Sequence, residues 1–352
     1  MRTTAALWVL LGLGCDVSGD AEGPGGRRPR WDTADPAGDT SDTYDTYDTS
    51  DTSGDSGADT AVDGLACGDG RVGGPHEECD GSDDSACAGR CATTCQCPSA
   101  EASGVLQVDM IDVWQGDGLL ITSPAGFTML VDAGDESAYP GVRRWLLDHA
   151  PGGVDYTLVS HQHADHMGAM DRVLQDHPEV GLAWDGGGVA TSDSYDDYVL
   201  AAGNRRTTIV AGQTLDLGPD LLVEVLHSDV GSTENENYNS VVIKLTYGSV
   251  RTLMGGDCET EGCERYFDAG GVDIYKVHHH GSSDSSGGRI LVDMQPRLAL
   301  ISAGEGNDYG HPDKVTLDTL DQVGADVWRT DEDGSVRVAI DGATWLVEAE
   351  KR

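Results

Sequence analysis

Apolar positions are distributed unevenly along this chain. They are dense in the first fifteen residues, nearly absent from 16 to about 63, sparse to 98, and regular from about 104 onward. In that last stretch short runs alternate apolar and polar residues with a period near two, the mark of strands with one buried face. Such runs predict strands at 106–113, 118–123, 128–132, 157–160, 222–226, 240–247, 251–254, 274–277, 298–302 and 335–340. Between them, apolar residues spaced three and four apart predict helices at 142–149, 167–176, 194–202 and 314–323. Strands and helices mixed in this order imply layered α/β architecture for one domain over 104–349.

The remainder divides into three parts. The run from Ala5 to Gly14 follows Arg2 and is too short for a bilayer span, but it suits the core of an export signal. With Cys15 directly after Leu10-Leu11-Gly12-Leu13-Gly14, residues 1–15 resemble a bacterial lipoprotein signal, which implies a lipidated Cys15. The alternative is an ordinary secretory signal, and both place the protein outside the cytosol, as a cell-envelope lipoprotein or a secreted protein. Residues 16–64 repeat Asp-Thr units as in Asp42-Thr43-Tyr44-Asp45-Thr46. A segment so poor in apolar groups cannot offset the entropy of ordering and is expected to be a disordered, self-repelling tether. It lacks the fixed Gly and Glu of a calcium loop. Residues 65–98 hold Cys67, Cys79, Cys87, Cys91, Cys95 and Cys97, and this stretch resembles short cysteine-rich repeats of secreted bacterial proteins. Paired CxxC units of a zinc ribbon are missing, so disulfides are expected, in any of 15 pairings. Cys258 and Cys263 lie together far downstream and are expected to pair with each other.

Charge narrows the partners. A formal net charge of −40 over 352 residues, with no Lys/Arg cluster, argues against a stable nucleic-acid complex. Nucleic acid remains possible as a substrate if metal ions supply positive charge. Membrane contact is expected only through an N-terminal lipid, and no DNA-channel membrane segment is expected beside the domain. The oligomeric state is left open.

The chemistry concentrates in Val159-Ser160-His161-Gln162-His163-Ala164-Asp165-His166, between a strand and a helix. Residues two apart in an extended loop point the same way, so His161 and His163 can grip one metal, with Asp165 and His166 turned toward a second. The alternative, an exposed polar turn, leaves three imidazoles in six residues without explanation.

This HxHxDH run, after a strand ending Val131-Asp132-Ala133-Gly134, resembles the metallo-β-lactamase fold superfamily, and within it the extracytoplasmic hydrolase domain of ComEC-type proteins. The stretches that carry the likeness follow in family order: Asp109 to Asp117 with Gln115-Gly116-Asp117, Asn235 to Leu245, Gly255-Gly256-Asp257, His278-His279-His280-Gly281-Ser282, and Asn307 to Pro312. The resemblance implies an αβ/βα four-layer sandwich with one or two divalent ions, Zn or Mn, at the strand ends. It implies metal ligands His161, His163, Asp165, His166, Asp257 and His280, with Asp257 bridging. His279 then reaches substrate oxygens, the choice between His279 and His280 being open by one residue, and Asp132 steadies a ligand histidine. Many relatives carry a third His where this chain has Asn235, Asn237 and Asn239, which makes Asn237 and Asn239 weak or supporting oxygen donors and tilts the site toward manganese. His227 reads as an end-of-strand residue. His311 can protonate a leaving group or merely hold a turn.

A metal-coordinated water ionises near neutral pH, and Asp165 is placed to orient it or take its proton. The expectation is therefore a hydrolase acting on a phosphoester or another small hydrolysable substrate, phosphodiesters foremost. Lactone or acyl-ester hydrolysis on the same fold is one alternative, and a surface binding protein with a decayed metal site is another. No GxSxG serine elbow is evident.

Overall fold

Alternation along single strands dictates the layering. In β1 (Leu106–Met110), β2 (Gly118–Thr122) and β3 (Thr128–Ala133), the side chains of Leu106, Val108, Met110, Leu119, Ile121, Met129 and Val131 enter one core. Their neighbours Leu120, Leu130 and Ala133 enter a second core on the opposite face. A sheet apolar on both faces must be covered on both.

The computed structural model describes residues 79, 86–87, 90–92, 96–232 and 235–352. The signal and tether stretches, Cys15, Cys67 and Cys95 lie outside these residues. After β3 come β4 (Tyr156–Val159), β5 (Leu182–Asp185) and β6 (Arg206–Thr208). A second series follows: β7 (Thr214–Leu215), β8 (Leu221–His227), β9 (Val242–Tyr247), β10 (Val250–Met254), β11 (Ile274–Lys276), β12 (Leu298–Ile301) and β13 (Asp326–Arg329). The chain then returns to the first sheet as β14 (Val336–Ile340) and β15 (Trp345–Ala349). The eight-stranded sheet runs β15-β14-β1-β2-β3-β4-β5-β6, and the seven-stranded sheet runs β13-β12-β11-β10-β9-β8-β7.

The two sheets share the first core, to which Ile243, Leu245, Ile274, Leu298 and Leu300 contribute from the second sheet. Helices α1 (Tyr139–His149), α3 (Met170–Asp176) and α4 (Asp193–Ala202) cover the first sheet, with the one-turn α2 (Ala164–Met167) ahead of α3. On the far side α5 (Gly288–Met294) and α6 (Lys314–Val323) pack over Tyr275, Ala299 and Ile301, while α7 (Thr330–Asp333) caps the edge. The order is helix, sheet, sheet, helix, the four-layer sandwich expected.

All ten expected strands and all four expected helices have counterparts, with one break. The helix expected over 167–176 is split into α2 and α3 at Gly168-Ala169, where a side chain on residue 168 would meet Ala164 O at 2.4 Å. Strands β5, β6, β7, β13 and β15 and helices α5 and α7 lie outside the expected elements.

Four of the clustered cysteines form Cys79–Cys91 and Cys87–Cys97, and Cys258 pairs with Cys263. The end of the cysteine-rich stretch is tied to the sandwich. Ser99 Oγ donates to Asp155 at 2.5 Å, Arg90 donates to Ala100 O and Ala125 O, and Ala92 joins the inter-sheet core. Among the described residues no helix is long and apolar enough to cross a membrane.

Candidate metal centre

The strand ends of both sheets deliver ionisable groups to one mouth of the sandwich. Strand β4 is wholly buried and gives way at Ser160, so His161 to His166 emerge at its carboxyl edge. Strand β10 ends in Gly255-Gly256, and β11 runs into His278-His279-His280. Gly256 has φ +49°, and a Cβ there would meet Ser160 Oγ at 2.4 Å, so only glycine brings Asp257 this close to the histidine loop. Gly116 does the same from β1: a Cβ would lie 2.0 Å from Asp165 O.

The expected residues converge. His161 Nε2 lies 3.0 Å from His163 Nδ1 and 4.0 Å from Asp257 Oδ2. His166 Nε2 and His280 Nε2 lie 3.1 and 3.3 Å from Asp257 Oδ1, and Asp165 Oδ2 is 3.4 Å from His280 Nε2. Donor atoms of His161, His163 and Asp257 lie within 4.8 Å of one another, as do those of Asp165, His166, Asp257 and His280. Asp257 belongs to both groups. Of the neighbouring pair, His280 faces Asp257 from a buried position, while His279 is partly exposed in the cleft with Nε2 3.6 Å from Asp257 Oδ2.

The backs of the rings are fixed. Asp132 Oδ2 accepts from His166 Nδ1 at 2.9 Å, and Ser160 donates to the same carboxylate through N and Oγ, both at 2.7 Å. His280 Nδ1 donates to Ser302 O at 3.0 Å. These bonds make each Nδ1 a donor to its brace and aim each Nε2 at the site. His166 Nε2, His280 Nε2 and Asp257 Oδ1 are buried and make no hydrogen bond. Buried polar atoms rarely go unpaired, and ring nitrogens converging on a carboxylate oxygen at this range suit a shared cation, so the residues present fit divalent metal. Asp132, His279 and His280 hold positive φ, and the two histidines carry strain of the kind that collects at functional sites.

Charge points the same way. Burial pulls the His166 and His280 imidazoles down, but carboxylates led by Asp257 outweigh it and raise both well above the ordinary value. Burial and the neighbouring His166 push His161 well below it. Burial would raise Asp257, yet His166 and His280 hold it well below the carboxylate range. Four buried or half-buried carboxylates, Asp117, Asp132, Asp165 and Asp257, face the Lys276 ammonium and the His166 and His280 imidazoles. Negative charge is in surplus until cations arrive.

Two groups of this network escaped the sequence reading. Asp117 and Lys276 are fully buried and paired at 2.7 Å, with Asp117 Oδ1 3.5 Å from His280 Nδ1. Glu259 accepts from Asn235 and Asn237. The hints were that Asp117 closes the Gln115-Gly116-Asp117 stretch and that Lys276 shortly precedes His278.

Other candidates part company. Asn237 lines the cleft, but Asn239 commits both amide ends to the Ser232 backbone, at 2.9 and 2.8 Å, and presents no free donor. The expectation of Asn239 as a weak ligand therefore gives way to a role in shaping the 232–239 loop. His227 donates to Ser240 O beside Tyr266 and Phe267, apart from the centre. His311 precedes a cis peptide to Pro312, stacks on Tyr309, and packs against the His279 ring at 5.7 Å. The open cleft above the centre measures about 330 Å³ and also includes Gln115, His163 and Asp165. Another cavity of about 330 Å³, between residues 260–270 and α5, has no converging imidazoles.

A family model described as the metallo-beta-lactamase superfamily matches residues 111–305. The chain belongs to the metallo-beta-lactamase superfamily. It is 29% identical over 256 residues to ComE operon protein 3 of Bacillus subtilis, covering 66% of this chain and 32% of that one. It is also 29% identical over 245 residues to Recombination protein 2 of Haemophilus influenzae, covering 66% and 28%. The chain thus spans about a third of the length of these relatives, and within the superfamily it is ComEC-like. Among solved structures it is similar to the metallo-beta-lactamase fold protein YhfI of Bacillus subtilis, at 15% identity and a TM-score of 0.45, covering 64% of this chain and 95% of that one. Membership carries the coarse function, that of a metal-dependent hydrolase family.

Proposed function

We propose that this protein is an exported hydrolase of phosphodiester bonds, with His161, His163 and Asp257 holding one divalent cation and Asp165, His166, Asp257 and His280 a second. The observation that carries this reading is the two donor groups joined through the single carboxylate of Asp257. Two cations held by these groups would suit in-line displacement at phosphorus, where attacking and leaving oxygens both need neutralising.

When bound, the cations supply Lewis acidity and lower the pKa of a coordinated water from about 15.7 toward about 7. The chain's own groups do the rest. Asp132 and Ser160 hold the His166 ring in its receptive tautomer, and Asp165, lining the cleft, orients the attacking water. His279 and His311 line the cleft mouth and donate to substrate oxygens. A surface this acidic would repel a phosphodiester without cations, so metal is required for approach as well as for chemistry. Harder oxygen donors in place of a third imidazole favour manganese over zinc. Export, with Cys15 as a lipid anchor, is supported by the three disulfides, which persist in oxidising compartments.

The test is metal analysis of the purified chain alongside turnover of bis-nitrophenyl phosphate and of a lactone. His163→Ala should lose bound metal and about 100-fold or more in phosphodiester turnover, more than is typical for a group that only supports a ligand. Equal rates would remove the assigned centre, and lactone turnover alone would move the substrate class to acyl esters.

A further inference from the structure

The loop after Asp257 is closed by Cys258–Cys263 and carries Glu259 toward the cleft. Glu259 Oε2 accepts from Asn235 Nδ2 at 2.9 Å, and Oε1 accepts from Asn237 Nδ2 at 2.6 Å. A carboxylate only accepts, so both amides must turn their NH2 ends to it. Asn235 is pinned twice, because its Oδ1 also accepts from the Asn237 backbone N–H at 3.0 Å. Asn237 has no second anchor. Its Oδ1 is buried without a hydrogen bond, and the residue is 6% exposed, lining the cleft with His163 and Asp257.

A buried acceptor left bare is unfavourable unless something electropositive meets it. The surroundings offer cations as that partner, given the surplus of carboxylates already described. We propose that Asn237 Oδ1 is a donor to the cation held by His161, His163 and Asp257, and that Glu259 is the positioning residue keeping that oxygen turned to it. The inference rests on the metal-centre reading above. Its physical core is that an amide is nearly symmetric in shape and opposite in polarity. Turned by half a rotation, Asn237 would offer N–H groups to a cation and repel it, and Glu259 forbids that rotation.

Glutamine at 259 removes the prohibition. It offers one oxygen and one NH2, and Asn235, pinned by the backbone, takes the oxygen. Asn237 then meets an NH2 and reverses. Calorimetric titration of the metal-stripped full chain with Mn(II) and with Zn(II) reads the result. In Glu259→Gln one cation should bind about 10- to 100-fold more weakly, with the other nearly unchanged and the melting temperature of the metal-free protein preserved. Asn237→Leu should reproduce that loss without touching Glu259, and it decides the matter alone if Glu259→Gln fails to fold. Combining Glu259→Gln with Asn237→Asp should restore affinity to within a few-fold, since aspartate accepts from the glutamine and still shows an oxygen to the cation.

Wild-type affinity in both Glu259→Gln and Asn237→Leu, beside metal loss in His163→Ala, would retire this inference and leave the metal centre standing. A loss in Glu259→Gln that the double variant does not restore would overturn the positioning role. A wild-type chain that binds no cation would take down the metal centre and this inference together.

Discussion

The two donor groups that share Asp257 are held very differently. In the Asp165–His166–His280 group both histidines are buried, and each is braced from behind, His166 by Asp132 and Ser160, His280 by Ser302 with Asp117 and Lys276 beneath. In the His161–His163 group His161 is buried with Ser160 Oγ 3.1 Å from its Nδ1, but His163 has a side chain 41% exposed, and its Nε2 has only Glu236, 3.7 Å away. Bracing fixes ring orientation before any ligand arrives, which lowers the entropy lost on binding. The Asp165–His166–His280 group is therefore preorganised and the His161–His163 group adjustable. The contrast teaches that one site can combine a permanent cation with an exchangeable one.

The sharpest way to break this contrast is His166→Ala, which leaves Asp132 and Asp257 buried without their imidazole. Metal content by mass spectrometry should fall by both cations, and hydrolysis by well over about 100-fold, because a shared ligand network fails from its rigid side. His163→Ala should retain one cation. If the two variants lose metal equally, the asymmetry is wrong.

Next in size is Lys276→Met. Losing one partner of a buried ion pair typically lowers stability by about 3–5 kcal/mol. Denaturant unfolding should show a drop of that order, and Lys276→Met combined with Asp117→Asn should recover most of it. A single variant as stable as wild type would mean that His280 alone compensates Asp117.

The smallest effect tests the adjustable side. Replacing Cys258 and Cys263 with serine opens a short loop and should lower stability by about 2 kcal/mol. Affinity for the weaker cation should fall with it, because Glu259 rides on that loop. Loss at the braced group instead would reverse the assignment.

What the sequence disclosed follows from distance along the chain. Four donors on one turn between β4 and α3 are visible as a string, and Asp257 and His280 come from motifs in family order. The braces are not visible, because Lys276 and Asp117 are 159 residues apart and Glu259 and Asn237 are 22 apart. Such pairs exist only once two sheets are stacked. The missed strands fail for a related reason. Arg206–Thr208 and Asp326–Arg329 are short and polar, and they owe their conformation to a parallel neighbour rather than to their own alternation. Helix α5 opens on two glycines, which hid its apolar face.

The pairing of β1 with β14, Leu106 opposite Ile340, sets a condition on the protein's manufacture. A growing chain emerging residue by residue presents β1 more than two hundred positions before its outer neighbour exists. Until residues 336–349 arrive, that edge has unpaired backbone groups open to any passing strand. Completion of the sheet is thus a late event of long loop closure, slow by topology. A nascent chain stalled short of its last two strands is accordingly a species that handling factors must shield from aggregation.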